Sequence, residues 1–252
     1  MKPTLRIATY NIHKGFSFFK HRVVIHEVRD RLRAIGADLV FLQEVLGTHT
    51  RHAMRHRDWP QEPQYEFLAD QVWPDFAYGR NAVYGTGHHG NAILSHFPIS
   101  RWDNEDVSTH RFERRGLLHC EISVPGWREP VHCICVHLGL AARGRSRQLE
   151  WMRQRIERLV PQNAPLIVAG DFNDWHWRYK ATHEFAYPLN MHEVFELTNG
   201  VPARSFPALL PVFRLDRIYT RGFRVRHARV HHGAVWARMS DHAALTADLD
   251  RL

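Results

Sequence analysis

Cysteine is scarce in this chain of 252 residues, which has only Cys120, Cys133 and Cys135. The last two fall on one face of a strand-like run, where a disulfide is geometrically disfavoured. So small and odd a number fits a reducing compartment with three buried thiols, and excludes a disulfide-stapled secreted fold. Long apolar runs are missing too: nothing approaches the ~18–20 residues that a membrane span needs. Met1 to Asn11 enters a strand pattern directly, without a secretory leader, so a cytoplasmic location is expected. Repeats, low-complexity tracts and long linkers are also missing, which leaves one domain over residues 1–252 as the expectation. Acidic charge is the scarcer sign, with 26 Asp and Glu against 34 Lys and Arg and a formal charge of +8. The 20 histidines add positive charge in mild acid. A basic surface favours an anionic partner, whether nucleic acid, phospholipid head groups or a phosphorylated small molecule, and does not choose among them. The bland alternative is a charge that merely solubilises.

What is present is a normal globular share of hydrophobic residues, 44%, enough for a sizeable core. The most informative stretch is Leu166-Ile167-Val168-Ala169-Gly170-Asp171-Phe172-Asn173-Asp174. An apolar run of strand length stops at a glycine, and a carboxylate, an amide and a second carboxylate follow. Such a run fits a strand buried on both faces, and strands of that kind present ligands just beyond their carboxyl ends. In extended chain Asp171 and Asn173 would point the same way. A carboxylate beside a neutral donor suits a metal-bound phosphate. The bland alternative is a strand followed by an Asx-type turn.

Around this stretch the periodicity predicts a strand over Leu5 to Ile12, a helix over Val23 to Ala34 and a second buried strand over Asp38 to Leu42, a βαβ-like signal. A surface loop is expected over Thr48 to Pro63 and a short helix over Tyr65 to Val72. Five strand-like pieces then crowd between Ala77 and His137, in a mainly antiparallel region. A second helix is expected over Arg145 to Val160, with Leu149, Met152, Ile156 and Leu159 inward. Trp175 to Leu210 reads as irregular and aromatic. Strands over Leu215 to Tyr219, Arg224 to Val230 and Ala243 to Leu249 close the chain. The pattern points to an α/β fold with two sheets packed together and helices outside.

Several of these strands end on a polar side chain: Asn11, Glu44, His137, then Asp171 with Asn173. Asp216 and the Ser240-Asp241-His242 run lie near the C-terminus. One acidic residue at a strand end is usually a cap or turn residue; the information lies in the number of coincidences. Hard oxygen ligands without a cysteine cluster point to Mg²⁺ or Mn²⁺ and away from structural zinc.

Tyr-Asn-Ile at 10–12, Leu-Gln-Glu-Val at 42–45, Gly-Asn-Ala-Ile-Leu-Ser at 90–95, Val-His-Leu-Gly-Leu at 136–140, Gly-Asp-Phe-Asn-Asp at 170–174, Arg-Leu-Asp-Arg-Ile-Tyr at 214–219 and Ser-Asp-His at 240–242 occur in that order. Together they resemble the endonuclease/exonuclease/phosphatase superfamily, the deoxyribonuclease I-like group, over nearly the whole chain. The resemblance implies a four-layered α/β sandwich of two mixed sheets. It implies Mg²⁺, or Mn²⁺, held by Glu44 with Asn11 and Asp241. It makes Asp171 the group that positions or deprotonates the attacking water and Asn173 the holder of the scissile phosphate. Asp216 would buttress His242, and His137 and His242 would bond the phosphate oxygens. Asn91 and Arg115 are expected to bind substrate. One departure stands out: His13, followed by Lys14, occupies the place where abasic-site members carry an aspartate. A second metal there is therefore doubtful.

Basic stretches at Arg51 to Arg57, His110 to Arg115 and Arg143 to Arg147 are expected in loops. Trp175-His176-Trp177 would stack on a base, rest on lipid, or form the core of its own loop. The expected activity is metal-dependent hydrolysis of a phosphodiester, with nucleic acid the leading substrate. The alternatives are a phospholipid or sphingolipid head group, a soluble phosphomonoester, or a decayed anion-binding module without catalysis. A monomer with peripheral contact to anionic lipid completes the expectation.

Overall fold

The structure, a computed structural model, describes residues 4–18, 22–175 and 180–252. In chain order the first half holds β1 (Thr4–Asn11), α1 (Ile25–Ile35), β2 (Leu39–His49), α2 (Thr50–Arg55), α3 (Gln64–Ala69), β3 (Asp75–Tyr84) and β4 (Gly87–Ser95). Next come β5 (Ile99–Asp106), β6 (Gly116–Ile122), β7 (Val131–His137), α4 (Ala142–Leu159) and β8 (Leu166–Asp171). The last part holds α5 (Lys180–Ala186), β9 (His192–Glu193), α6 (Val194–Asn199), β10 (Asp216–Arg221), β11 (Phe223–His231), α7 (Ala234–Ala237) and β12 (Ala244–Arg251).

Two six-stranded sheets result, in the orders β11-β12-β1-β2-β4-β3 and β5-β6-β7-β8-β10-β9. Strand periodicity builds the layers. Leu39 and Phe41 point between the sheets, while Val40 and Leu42 pack under α1 and α3. In the second sheet Ile167 and Ala169 point inward, while Leu166 and Val168 meet Leu149, Met152 and Ile156 of α4. Both faces of each central strand are buried, so these strands read as unbroken apolar runs. The order is helix, sheet, sheet, helix, the four-layered sandwich expected. Cys120, Cys133 and Cys135 are buried free thiols in the layer between the sheets.

The structure corrects several local expectations. The second strand continues past Leu42 to His49, because Val45 and Leu46 extend its buried face. Residues 48–63 are not all surface loop: they hold α2, and Trp59 packs into a small core with Phe16 and Leu46. The basic run Arg143 to Arg147 lies inside α4, not in a loop. Leu159 is exposed, and Val160, one residue on, takes the inward place at the end of α4. Residues 175–210 carry α5, β9 and α6: β9 is the edge strand beside β10, α6 adds Val194 and Phe195 to the core between the sheets, and α5 adds Phe185 to the core under α4. Their helical turns are shorter than the windows in which periodicity is visible. His176 and Trp177 lie outside the described residues.

Candidate active site

Two parallel pairs bring the polar strand ends together. β1 and β2 run parallel with Asn11 beside Gln43, and β7 and β8 run parallel with His137 beside Asp171. β10 is antiparallel to β8 and starts at Asp216 opposite Asp171. β12 is antiparallel to β1, so Asp241 and His242, which lead into it, reach the same edge. Glu44 arrives differently. Leu42 pairs with Ala92 and Val45 with Gly90, which leaves Gln43 and Glu44 together opposite Asn91. This is a β-bulge, and Glu44 adopts φ 56° within it. Strict alternation would turn Glu44 to the helix-covered face with Leu42; the bulge frees it from that face.

Asp171 is the centre of a buried network. Its Oδ1 accepts the Asn173 backbone N–H at 2.9 Å, and its Oδ2 accepts Asn11 Nδ2 at 3.2 Å. His137 Nε2 and His242 Nε2 lie 3.5 and 3.7 Å from the same Oδ2. His242 Nδ1 donates to Asp216 Oδ2 at 2.8 Å, since a carboxylate can only accept; this leaves Nε2 facing Asp171. Burial pushes the Asp171 carboxyl well above the usual carboxylate range, with the Asp216 charge acting in the same direction against His242. Burial opposes charge on His242, but Asp216 and Asp171 override it and raise the imidazole to about 10. His137 goes the other way: burial, with Arg115 nearby, keeps it neutral.

Asn173 is not extended. It sits at φ 50°, so the chain turns back after Asp171. Its side chain therefore does not run alongside Asp171 but donates to the Leu138 carbonyl at 2.8 Å. Ser240 ties the last strand to the first: its hydroxyl donates to the Asn11 carbonyl at 2.7 Å and accepts the His242 N–H at 3.2 Å.

Glu44 is half-buried at the mouth. Burial would raise its carboxyl, but the basic groups facing it outweigh burial and hold it below the usual carboxylate range, with Lys14 and the protonated His242 as the cations among them. The Lys14 ammonium lies 3.6 Å from Glu44 Oε2. Asn11 Oδ1 accepts the His13 N–H at 3.1 Å and keeps a second lone pair. Asp241 is half-buried, its Oδ1 3.3 Å from the Ser240 hydroxyl oxygen, whose hydrogen is taken by Asn11. Glu44, Asn11 and Asp241 are all oxygen donors, two of them anionic, a set that suits a hard divalent cation. Among the described residues, the tightest group of ligand atoms is another one: Asp171, Asp216 and His242, within 4.8 Å of one another. Within that group His242 Nδ1 is bonded to Asp216 Oδ2, and the Asp171 oxygens accept from the Asn173 N–H and Asn11 Nδ2, whereas Asp216 Oδ1 is buried without a hydrogen-bond partner among the described residues.

Asn91 and Arg115 hold the frame. Asn91 Nδ2 donates to the Gly116 and Cys135 carbonyls at 3.1 and 3.3 Å, tying the two sheets beside the bulge. With both amide hydrogens committed to backbone, a donor contact from Asn91 to substrate is not available in this geometry. Arg115 donates to the Leu138 and Arg114 carbonyls and to Glu113. The sequence reading gave no role to Ser240, to the Leu138 carbonyl, or to Phe206, whose ring stands edge-on to His242 at 5.2 Å. Only Ser240 carried a signal, as the first residue of the Ser-Asp-His motif.

The sequence profile described as the Endonuclease/Exonuclease/phosphatase family matches residues 8–242. The chain belongs to this family. An uncharacterized protein of Escherichia coli strain K12, YbhP, is 45% identical over 246 residues, covering 98% of this chain and 96% of its own. Among solved structures, an endonuclease/exonuclease/phosphatase from Beutenbergia cavernae superposes with a TM-score of 0.75 at 19% identity, covering 99% of this chain and 72% of its own. A humanized D. rerio TDP2 with 14 mutations gives 0.71 at 18% identity, covering 99% and 100%. These structural likenesses establish the deoxyribonuclease I-like fold. Family membership makes metal-dependent phosphoester hydrolysis the type of chemistry.

Proposed function

We propose that the protein is a divalent-metal-dependent phosphodiesterase that hydrolyses its substrate by in-line attack of water. The observation that carries this reading is the convergence of Asn11, His137, Asn173 and His242 on the single carboxylate of Asp171. Glu44, Asn11 and Asp241 would hold the ion, Mg²⁺ or Mn²⁺. When bound, such an ion neutralises the charge that grows on the phosphoryl oxygens.

The protein's own groups divide the remaining work. Asp171, lifted by burial toward neutral pH, accepts the proton of the attacking water. The Asn173 N–H and Asn11 Nδ2 fix both of its oxygens, so the accepting lone pair is aimed before substrate arrives. His242 remains protonated through Asp216 and donates Nε2–H to a phosphoryl oxygen. Neutral His137 is a second donor on the other side of Asp171. The water oxygen bonds to phosphorus, the ester P–O bond breaks, and the leaving alkoxide takes its proton from the His242 imidazolium. The basic balance of the chain suits a polyanionic substrate, and on charge alone nucleic acid leads.

The experiment is turnover of a generic aryl phosphodiester, with DNA, RNA and phospholipids as parallel substrates. Activity is expected to vanish in chelator, to return with Mg²⁺ or Mn²⁺, and to be lost in Asp171→Ala. Full activity in chelator, or in Asp171→Ala, overturns the reading.

A further inference from the structure

Three segments form the rim of this site, and hydrogen bonds tie each one to the catalytic groups. Residues 108–115 reach it through Arg115, which donates to the same Leu138 carbonyl that accepts from Asn173. Residues 138–147 follow, with the Leu140 N–H donating to Glu113 at 3.0 Å. Residues 201–214 reach it as a short hairpin, next to Asp241 and His242. Phe206 and Phe213 form its antiparallel bridge, and the Ala208 N–H donates to the Asp241 carbonyl at 2.7 Å. Trp175 packs on both phenylalanines, and Phe206 packs on His242.

The composition of the rim is unusual in two respects. The three segments carry eight arginines (three, three and two in chain order) and one carboxylate, Glu113. That carboxylate is already bound to Arg115 at 3.1 Å. Five of the arginines are exposed: Arg111, Arg114, Arg143, Arg147 and Arg204. The same segments also expose large apolar side chains: Phe112 at 79%, Leu210 at 73%, and Leu140 and Leu209 at 60% each. The Arg111 guanidinium lies over the Phe112 ring at 4.6 Å, so cation and apolar group are presented together.

A polyanion in water accounts for the arginines and not for the leucines. The Leu209–Leu210 pair caps a hairpin whose phenylalanines face inward to Trp175 and His242, so its own packing does not need the pair. Apolar side chains beside cationic ones are what a charged lipid interface takes up: hydrocarbon enters the acyl boundary while guanidinium groups meet the phosphates. We propose that the rim docks on an anionic lipid bilayer, with Leu209 and Leu210 on one side of the cleft and Phe112 and Leu140 on the other as the inserting residues. The catalytic groups would then face the head-group layer. The proposal takes the position of the catalytic centre from the function proposed above, but its test does not require turnover.

The full-length protein, in chelator, is sedimented with vesicles of phosphatidylcholine and phosphatidylglycerol at about three to one, and with phosphatidylcholine alone. Binding is expected to the anionic vesicles. Leu209→Ser combined with Leu210→Ser is expected to weaken it by about tenfold or more, as is Phe112→Ser combined with Leu140→Ser. All four side chains are exposed, so unfolding temperatures should stay unchanged, as should turnover of a soluble aryl phosphodiester. No binding to anionic vesicles at low salt overturns the proposal. So does undiminished vesicle binding by both double variants, which would mean charge adsorption only. Equal weakening of duplex DNA binding in these variants also overturns it and assigns the rim to nucleic acid. Vesicle binding without turnover of any phosphodiester refutes the proposed function and leaves the docking surface standing.

Discussion

The two sheets deliver their polar residues to the cleft in different ways. In the second sheet the delivery is regular: β7 and β8 run in register to their ends, and His137 and Asp171 are adjacent and buried. In the first sheet it is irregular: Glu44 comes from a bulge within β2 at φ 56°, and His13 and Lys14, just past the end of β1, have φ 46° and 58°; in the second sheet the turn at positive φ comes only after the strand end, at Asn173. Positive φ in non-glycine residues costs energy and persists where the surroundings over-determine it. In the proposed reaction the regular end would carry proton transfer, its carboxylates Asp171 and Asp216 facing His242, which the first sheet contributes just before β12. The irregular end leaves oxygen donors half-exposed beside a lysine, which suits an ion arriving from solvent. Chemistry that needs low dielectric is placed on rigid, buried strand ends, and chemistry that needs solvent access is placed on turns.

The sharpest way to break this contrast is Asp171→Ala, which should lower turnover by about 10³-fold or more while leaving the circular dichroism spectrum unchanged. A variant with near-normal turnover would remove the proton-handling role from the second sheet. Next, Glu44→Gln should weaken Mn²⁺ binding in calorimetry by about ten- to a hundredfold, whereas His242→Gln should reduce turnover with little effect on that binding. Equal effects of both on Mn²⁺ affinity would erase the division of labour.

Acid should reveal the buried imidazoles of the second sheet. Burial, reinforced by His132, lowers His119 to about 3, and the two rings are hydrogen-bonded at 3.0 Å. A base with a depressed folded pKa contributes stability above its unfolded pKa of 6.5, and that stability is lost as pH falls toward 3. The unfolding midpoint should therefore drop steeply over this window, by the equivalent of about 1–3 kcal/mol for this group, and His119→Gln should flatten the drop. An unchanged slope in the variant would show that other groups control acid unfolding. The smallest effect is expected from Lys14→Met. Losing the ammonium 3.6 Å from Glu44 should tighten Mn²⁺ binding by about threefold, and weaker binding would contradict the placement of the ion at Glu44.

Much of this could be read along the chain. The apolar runs before Asn11, His137 and Asp171 announce buried strands because period-two burial leaves a local record in residue type. The Gly170-Asp171 junction likewise marks a strand end. The path of β2 past Leu42 was not readable, since a bulge depends on which partner residue stands opposite. Nor was the commitment of Asn91 to two carbonyls in the other sheet, because a hydrogen bond across 25 or 44 residues has no sequence period. The Leu209–Leu210 tip looked like part of an irregular aromatic stretch, and only its packing shows those leucines turned outward.

By itself the sequence determined the two-sheet sandwich, the polar residue at each strand end and the excess of arginine. These follow from local periodicity and composition, which survive in one dimension. Tertiary structure alone decided that three side chains and one backbone N–H share the carboxylate of Asp171, that Glu44 stands at the mouth beside Lys14, and that arginine and leucine are exposed on the same segments. Distances between remote segments, and the burial that shifts each proton, exist only once the two sheets have closed on each other.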